Sequence, residues 1–354
     1  VAADLSRLSQ EVGNKGKEGR VFEARGVIDF LRGYGARNAA ALRPARQSTA
    51  DLAPIEESIE RSLLLNGRMA ARALPRNTPI KDFYDVEFRV FSQWGEDEII
   101  EWLVSHVPLP NHRFVEFGVE DFREANCRFL MRNRNWKGLV LDSNADYIAR
   151  LRSQPGMWMH DLTALPAFVT AENINRLISD AGFSGPAGIL SVDVDGNDYW
   201  IWQAIDCIAP AIVICEYNSL LGDMRPLAVP YDPGFERLKA HHSGLYFGAS
   251  IAALRRLAAA KGYSFVGTNS NGNNAFFVRD DLAGPVLALI EERAPYPSRH
   301  RDSRDTEGQL TFTPGLARLD LIKECPVFDI ETDRTLRLLD VDRLYSEQWL
   351  AGMT

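Results

Sequence analysis

The stretch "RFVEFGVEDFREANCRFLMRNRNWKGLVLD", residues 113–142, reads as strand, helix, strand within thirty positions. "RFVEFGV" and "GLVLD" are short apolar runs of the length a buried strand needs, and the helix-forming "ANCRFLMRNR" lies between them. The same alternation continues through "ADYIARLRS", "MWMHDL", "AENINRLISDAG", "GILSVDVD", "YWIWQAI" and "AIVICEYN". Strands separated by helices build βαβ units, which predicts an α/β fold with a parallel sheet covered on both faces.

Beyond the fifth expected strand comes a long segment containing Pro and Gly, "SLLGDMRPLAVPYDPGFERLKAHHSGLYFG". A helix then runs from the capping Ser250 to Lys261-Gly262, and "YSFVGTNSNGNNAFFVRDD" reads as a hairpin turned by Asn and Gly. The expected topology is Rossmann-like, with five parallel strands closed by an antiparallel hairpin. Two amphipathic runs, "GRVFEARGVIDFLRGYG" and "IEESIERSLLLNGRMAARAL", make residues 1–87 a helical N-terminal region. It is the candidate element for homo-oligomerisation. Residues 88–284 form the sheet-bearing domain, and 285–354 a C-terminal extension.

The net charge of -8 is spread along the 354 residues, so no basic surface recommends a nucleic acid as partner. Cys127, Cys207, Cys215 and Cys325 are far apart and form no CxxC pair, which disfavours a zinc cluster and a disulfide framework. No apolar run is long enough for a membrane span, and the N-terminus lacks the basic-then-apolar order of a signal peptide. A cytoplasmic protein with no membrane partner is the expectation.

Ligands of open α/β sheets bind beyond the carboxyl ends of the strands. The first strand ends in Glu116 and Gly118, without the GxGxxG spacing that cradles a pyrophosphate, and Glu120, Asp121 and Glu124 follow. Acids in that loop repel a dinucleotide and suit a cationic, phosphate-free ligand such as S-adenosylmethionine. Asp142, with Ser143 beside it, ends the second strand, where a carboxylate accepts from ribose hydroxyls. Asp161 is expected to end the third, facing an adenine amino group, with Leu162 packed on the ring. Singly, each acid reads as a helix cap or loop residue; in succession they point to a nucleoside.

With these residues on the page, the chain resembles a class I S-adenosylmethionine-dependent methyltransferase of the FkbM type over roughly residues 88 to 280. The likeness is carried by "FSQWGEDEII", "FVEFGVEDFREANCRFL", "GLVLDSN", "LSVDVDGNDYWIW" and "ICEYN". It implies cofactor contacts from Glu116, Gly118, Asp142 and Asp161. It also implies that the segment with Ser92, Gln93, Gly95, Glu96 and Asp97 closes over the methionine end. The first loop departs from the glycine-rich pattern, with Val119-Glu120-Asp121-Phe122 in its place.

In "ILSVDVDGNDYW", Asp193 and Asp195 share one strand face, whereas Asp198 reads as the N-cap of the next helix. Glu216 and Asn218 end the neighbouring strand, so their oxygens can converge with those of Asp193 and Asp195. Oxygen-rich sites suit hard cations, and the arrangement is similar to that of metal-dependent O-methyltransferases, which implies Mg2+ at Asp193, Asp195, Glu216 and Asn218. His241 and His242, in the loop after the fifth strand, are the candidate general bases, and with Asp193 they make the candidate catalytic set. Methylation of a hydroxylated small molecule or glycan, as in natural product or glycan biosynthesis, is the leading expectation. A metal-dependent glycosyltransferase using "DVD" as a DxD motif and a non-catalytic interaction protein are the alternatives.

Overall fold

The computed structural model describes residues 49–353, and the chain divides into two compact units, Val1–Ile59 and Glu60–Thr354. The run "GRVFEARGVIDFLRGYG" lies outside the described residues, whereas "IEESIERSLLLNGRMAARAL" belongs almost entirely to helix α1 (Thr49–Ala73). The described part of the first unit is the beginning of that helix. All further description concerns the second unit.

Its elements follow in chain order as α2 (Glu96–His106), β1 (Arg113–Phe117), α3 (Arg128–Arg134), β2 (Lys137–Asp142), α4 (Ala145–Ser153) and β3 (Leu162–Pro166). Then come α5 (Ile174–Asp180), β4 (Gly185–Val192), α6 (Asp198–Ala204), β5 (Ile208–Glu216), β6 (Leu227–Ala228), α7 (Arg237–Ala240) and α8 (Ile251–Lys261). The hairpin β7 (Tyr263–Thr268) and β8 (Asn274–Arg279) precedes α9 (Asp280–Leu287), α10 (Ala317–Ile322), β9 (Pro326–Asp329), β10 (Arg334–Arg337) and α11 (Glu347–Met353).

The central sheet has the order β3-β2-β1-β4-β5-β8-β7, with the first five strands parallel and β8 antiparallel to both β5 and β7. This is the α/β sheet closed by a hairpin that the sequence predicts. Alternation along each strand supplies two cores. Val115, Leu139, Leu190 and Val213 pack on one face, while Phe114, Val140, Ile189 and Ile212 pack on the other.

Local signals set the helix and hairpin limits. Ser250 accepts a hydrogen bond from the Ala253 N–H at the start of α8, and Gly262 closes it in the left-handed conformation (φ +79°). In the hairpin turn, Asn269 Oδ1 accepts from the N–H groups of Asn273 and Asn274.

The third strand corrects one reading. "MWM" forms a 3-10 turn, Met157–Met159, and β3 begins at Leu162, where the sequence reading ended the strand. Left-handed Gly156 (φ +80°) opens that turn, in which Trp158 is 86% exposed.

The C-terminal residues build a second, antiparallel sheet, β10-β9-β6, on the segment that follows β5. Trp349, Met353, Val327 and Leu338 share one core with β1, β4 and β5. Among the described residues no helix is long and apolar enough to cross a membrane, and the four cysteines are free.

Candidate functional site

The carboxyl ends of β1, β2, β4 and β5 open onto a cleft of about 680 Å³, lined among others by Gln93, Glu116, Gly118, Asp142, Ser143 and Asp193. Its floor is a close backbone approach. Gly118 is left-handed (φ +68°), and a Cβ placed on it would overlap the carbonyl oxygen of Asp193. Only glycine lets the first loop lie against the loop after β4 in this way.

Two carboxylates hold that first loop from opposite ends. Glu116 accepts from the N–H of Asn126 (2.7 Å) and Cys127 (3.1 Å), satisfying donors where α3 begins. Asp142 accepts from the N–H of Glu120 (2.8 Å) and Asn144 (2.7 Å). Between them Glu120 and Phe122 take positive φ values of 47° and 63°. Burial pushes the Glu116 carboxyl up to about 7, against the opposing pull of its two amide donors. Glu116 and Asp142 therefore shape the cleft wall, and their backbone bonds leave Asp142 at the mouth of β2 as the sequence predicts.

The segment before α2 divides its labour. Gln93 lines the cleft, and its Oε1 accepts from the indole N–H of Trp94. Asp97 Oδ2 instead accepts from the N–H groups of Val90, Phe91 and Ser92 and from the Ser92 hydroxyl. Glu96 Oε1 takes the side-chain amides of Asn269 and Asn274, which ties α2 to the hairpin.

The adjacency of β4 and β5 brings three acids together. Asp193, Asp195 and Glu216 each offer an oxygen within 4.8 Å of the others. Burial first, and then Asp195 and Asp198, push Asp193 well above the usual carboxylate range; burial and Asp193 do the same to Glu216. Buried Glu216 Oε2 has no hydrogen-bond donor among the described residues. Two facing carboxyls of this kind need a shared proton or a cation between them.

Asp198 is the first residue of α6 and faces backward, accepting from the N–H of Val194 (2.8 Å) and Gly196 (3.0 Å). It fastens the aspartate loop rather than capping the helix ahead of it.

Several predicted site residues lie elsewhere. Asp161 and Leu162 stand at the amino end of β3, opposite the cleft, where Asp161 pairs with Lys137 Nζ at 3.1 Å. At the carboxyl end of that strand the cleft is lined by Ala167, Phe168 and Val169. Asn218 spends its amide on the fold: Nδ2 donates to the carbonyls of Leu245 and Phe247, and Oδ1 accepts from the Leu220 N–H. It is not a fourth ligand. His241 and His242 stack on each other, with His241 Nδ1 at 2.8 Å from Ser243 Oγ, and neither lines the cleft. Neither histidine is therefore within reach of an acceptor bound in the cleft, contrary to the expectation from the sequence.

Arg237, which the sequence reading overlooked, is the cation of the acid cluster. Its guanidinium donates to Asp195 Oδ1 (2.8 Å), Asp302 Oδ2 (3.2 Å) and the Gly244 carbonyl (2.6 Å), and lies 3.8 Å from the Phe247 ring centroid. A group of acids at adjacent strand ends demands a nearby cation, and "GFERLK" in the following segment holds the candidates.

No family model matches the chain, and no curated protein matches it. Among solved structures, an S-adenosylmethionine-dependent methyltransferase from Clostridium acetobutylicum has 9% identity and a TM-score of 0.34, over 52% of this chain and 90% of that one. The O-methyltransferase from Bacillus cereus in complex with SAH has 14% identity and a TM-score of 0.36, over 61% and 89%. An S-adenosylmethionine-dependent methyltransferase from Mesorhizobium loti has 14% identity and a TM-score of 0.34, over 52% and 100%.

Proposed function

We propose that the protein is an S-adenosylmethionine-dependent methyltransferase that acts on a hydroxyl group of a small molecule or sugar. The observation that carries this reading is the acid-rich lining of the cleft. Glu116, Glu120, Asp142, Asp193, Asp195 and Glu216 line it, while the two cations in the lining are engaged, Arg237 by Asp195 and Asp302 and Lys239 by Glu236. A nucleoside with a cationic reactive end suits such a surface, and a diphosphate does not. The cleft volume is within the range of small-molecule sites, roughly 300–1,000 Å³. In this reading Asp142, at the mouth of β2, would accept from the ribose hydroxyls, and Gly118 keeps the first loop low enough to admit the ligand. The bound cofactor would supply an electrophilic methyl group on sulfur. The protein's own part is to hold the nucleoside, exclude water and receive the acceptor's proton.

Glu216 Oε2, buried without a donor, supports a finer reading in which Mg2+ occupies the acid cluster. Asp193, Asp195 and Glu216 fit a hard divalent ion by donor type, and the ion would lower the pKa of an acceptor hydroxyl. The FkbM-type resemblance is a further support for a hydroxylated acceptor.

Calorimetric titration of the full chain with S-adenosylhomocysteine and, separately, with UDP-glucose tests the proposal. Saturable S-adenosylhomocysteine binding is expected. Binding of UDP-glucose alone would replace it with the glycosyltransferase reading, in which Asp193 and Asp195 hold Mn2+ and a sugar diphosphate.

A further inference from the structure

The guanidinium of Arg237 is anchored by groups that do not belong to the acid cluster. Nε donates to the Gly244 carbonyl (2.6 Å), Nη2 to Asp302 Oδ2 (3.2 Å), and the central carbon lies 3.8 Å from the centroid of the Phe247 ring. Asp302 comes from the C-terminal segment, where with His300 and Arg318 it also walls a smaller pocket of about 130 Å³ beside the main cleft. Nη1 points the other way and donates to Asp195 Oδ1 at 2.8 Å. The chain leading to Arg237 is seated too: a Cβ on Gly196 would overlap the Phe235 ring, so this segment lies directly on the aspartate loop. Asp195 itself is half fixed. Its backbone, in the left-handed region (φ +55°), is stapled on both sides by Asp198, which accepts from the Val194 and Gly196 N–H groups. Its side chain is 64% exposed, and the order of that carboxylate comes from Arg237.

We propose that Arg237 is a positioning residue for the acid cluster: by pinning one oxygen of Asp195 it presents that carboxylate to a divalent ion shared with Asp193 and Glu216. The inference rests on the reading in which an ion occupies the cluster. The three acids each offer an oxygen within 4.8 Å of the others, and Glu216, 8% exposed, keeps one oxygen without a donor among the described residues. A carboxylate accepts on both oxygens, so one held by the guanidinium leaves the other to an ion. Two effects of Arg237 on such an ion oppose each other. Its charge repels a divalent cation, so by Coulomb's law alone its removal would tighten binding. Its hold on Asp195 orders a ligand in advance, so by that route its removal weakens binding. The anchorage decides between them. Asp302 already offsets part of the charge from behind, whereas an exposed Asp195 side chain without Arg237 must be ordered by the ion itself. Partners that orient ligating groups typically govern metal affinity by about 10–100-fold without touching the metal.

The test titrates Mn2+ into the full chain and reads the free ion by electron paramagnetic resonance, with no substrate and no turnover. The parent is expected to bind Mn2+ saturably, and Arg237→Gln to weaken that binding by about tenfold or more. Arg237→Lys keeps the charge but replaces a rigid fork with a single point donor, and a loss of similar size is expected. In an Asp195→Asn background Arg237→Gln should change affinity by less than about twofold, because both substitutions act through one carboxylate. Tighter or unchanged binding by Arg237→Gln overturns the proposal, as does parental binding by Arg237→Lys or an undiminished effect of Arg237→Gln in the Asp195→Asn background. If Arg237→Gln fails to fold, Arg237→Lys decides. A parent chain that takes up no Mn2+ removes the ion reading and this proposal with it. The methyl-transfer reading stands or falls separately, on S-adenosylhomocysteine binding by the metal-free chain.

Discussion

Gly118 and Asp193 are the first residues beyond β1 and β4, and they touch so closely that only a hydrogen fits between the Gly118 Cα and the Asp193 carbonyl. Any side chain at this point forces the two loops of the cleft floor apart. Gly118→Ala adds the left-handed penalty of about 1–2 kcal/mol to an overpacking cost of about 1–3 kcal/mol. The expected outcome is a lower melting temperature and loss of S-adenosylhomocysteine binding, read by thermal denaturation with and without the ligand.

Asp142 and Asp161 make a matched pair of tests, because one stands at the cleft and the other at the far edge of the sheet. Asp142→Asn turns a two-sided acceptor of backbone N–H groups into a group that must present a donor to one of them. A loss of about 1.5–3 kcal/mol, or roughly tenfold or more in S-adenosylhomocysteine affinity, is expected from hydrogen bonds to a charged group. Asp161→Asn should leave affinity unchanged. Equal effects in calorimetry would contradict the placement of both residues.

Metal dependence has a readout that needs no substrate. With Mg2+ at 100 times its dissociation constant, binding to the native chain alone stabilises it by about 2.7 kcal/mol. Glu216→Gln, which removes the charge behind the donorless oxygen, is expected to abolish this shift in melting temperature. Retention of full methyl transfer after exhaustive chelation would remove the ion from the scheme.

The buried acids also set a direction for pH dependence. Glu98 is 1% exposed, both its oxygens lack partners among the described residues, and burial, then Glu101 and Asp97, push it up to about 8. Its folded pKa exceeds the unfolded value, so folding takes up a proton. This contribution is fully present below the ordinary value of 4.5 and is lost as pH rises towards 8. Glu116, at about 7, and Asp97 and Asp198, at about 6, act in the same sense. Melting temperature should therefore fall across that window, by about 1.4 kcal/mol of stability per pH unit for each such group. Glu98→Gln should flatten the slope, and a melting temperature that climbs with pH would contradict the assignment.

The parts of the fold that were legible in the sequence are those set by near neighbours. Ser250 and Gly262 mark the ends of α8 through bonds three or four residues away, and the Asn-rich turn folds on itself through Asn269. The acids at the ends of β1, β2, β4 and β5 were visible because a strand end is a local feature. Asp161 falls at the wrong end of its strand because the apolar run before it closes into a 3-10 turn, Met157–Met159, and β3 begins only at Leu162. Asn218 has the right chemistry for a ligand, but the carbonyls that occupy it belong to residues 245 and 247. Arg237 and Asp302 depend on loops that meet only in three dimensions, and no periodicity reports such a meeting.

The wall formed by His300, Asp302 and Arg318 has a temporal meaning for the living chain. During synthesis the strands and the main cleft emerge first, and the smaller pocket closes only when residues beyond the hairpin have left the ribosome. Because Val327, Leu338, Trp349 and Met353 belong to the core that also holds β1, β4 and β5, clipping in that tail would loosen the sheet as well as the smaller pocket.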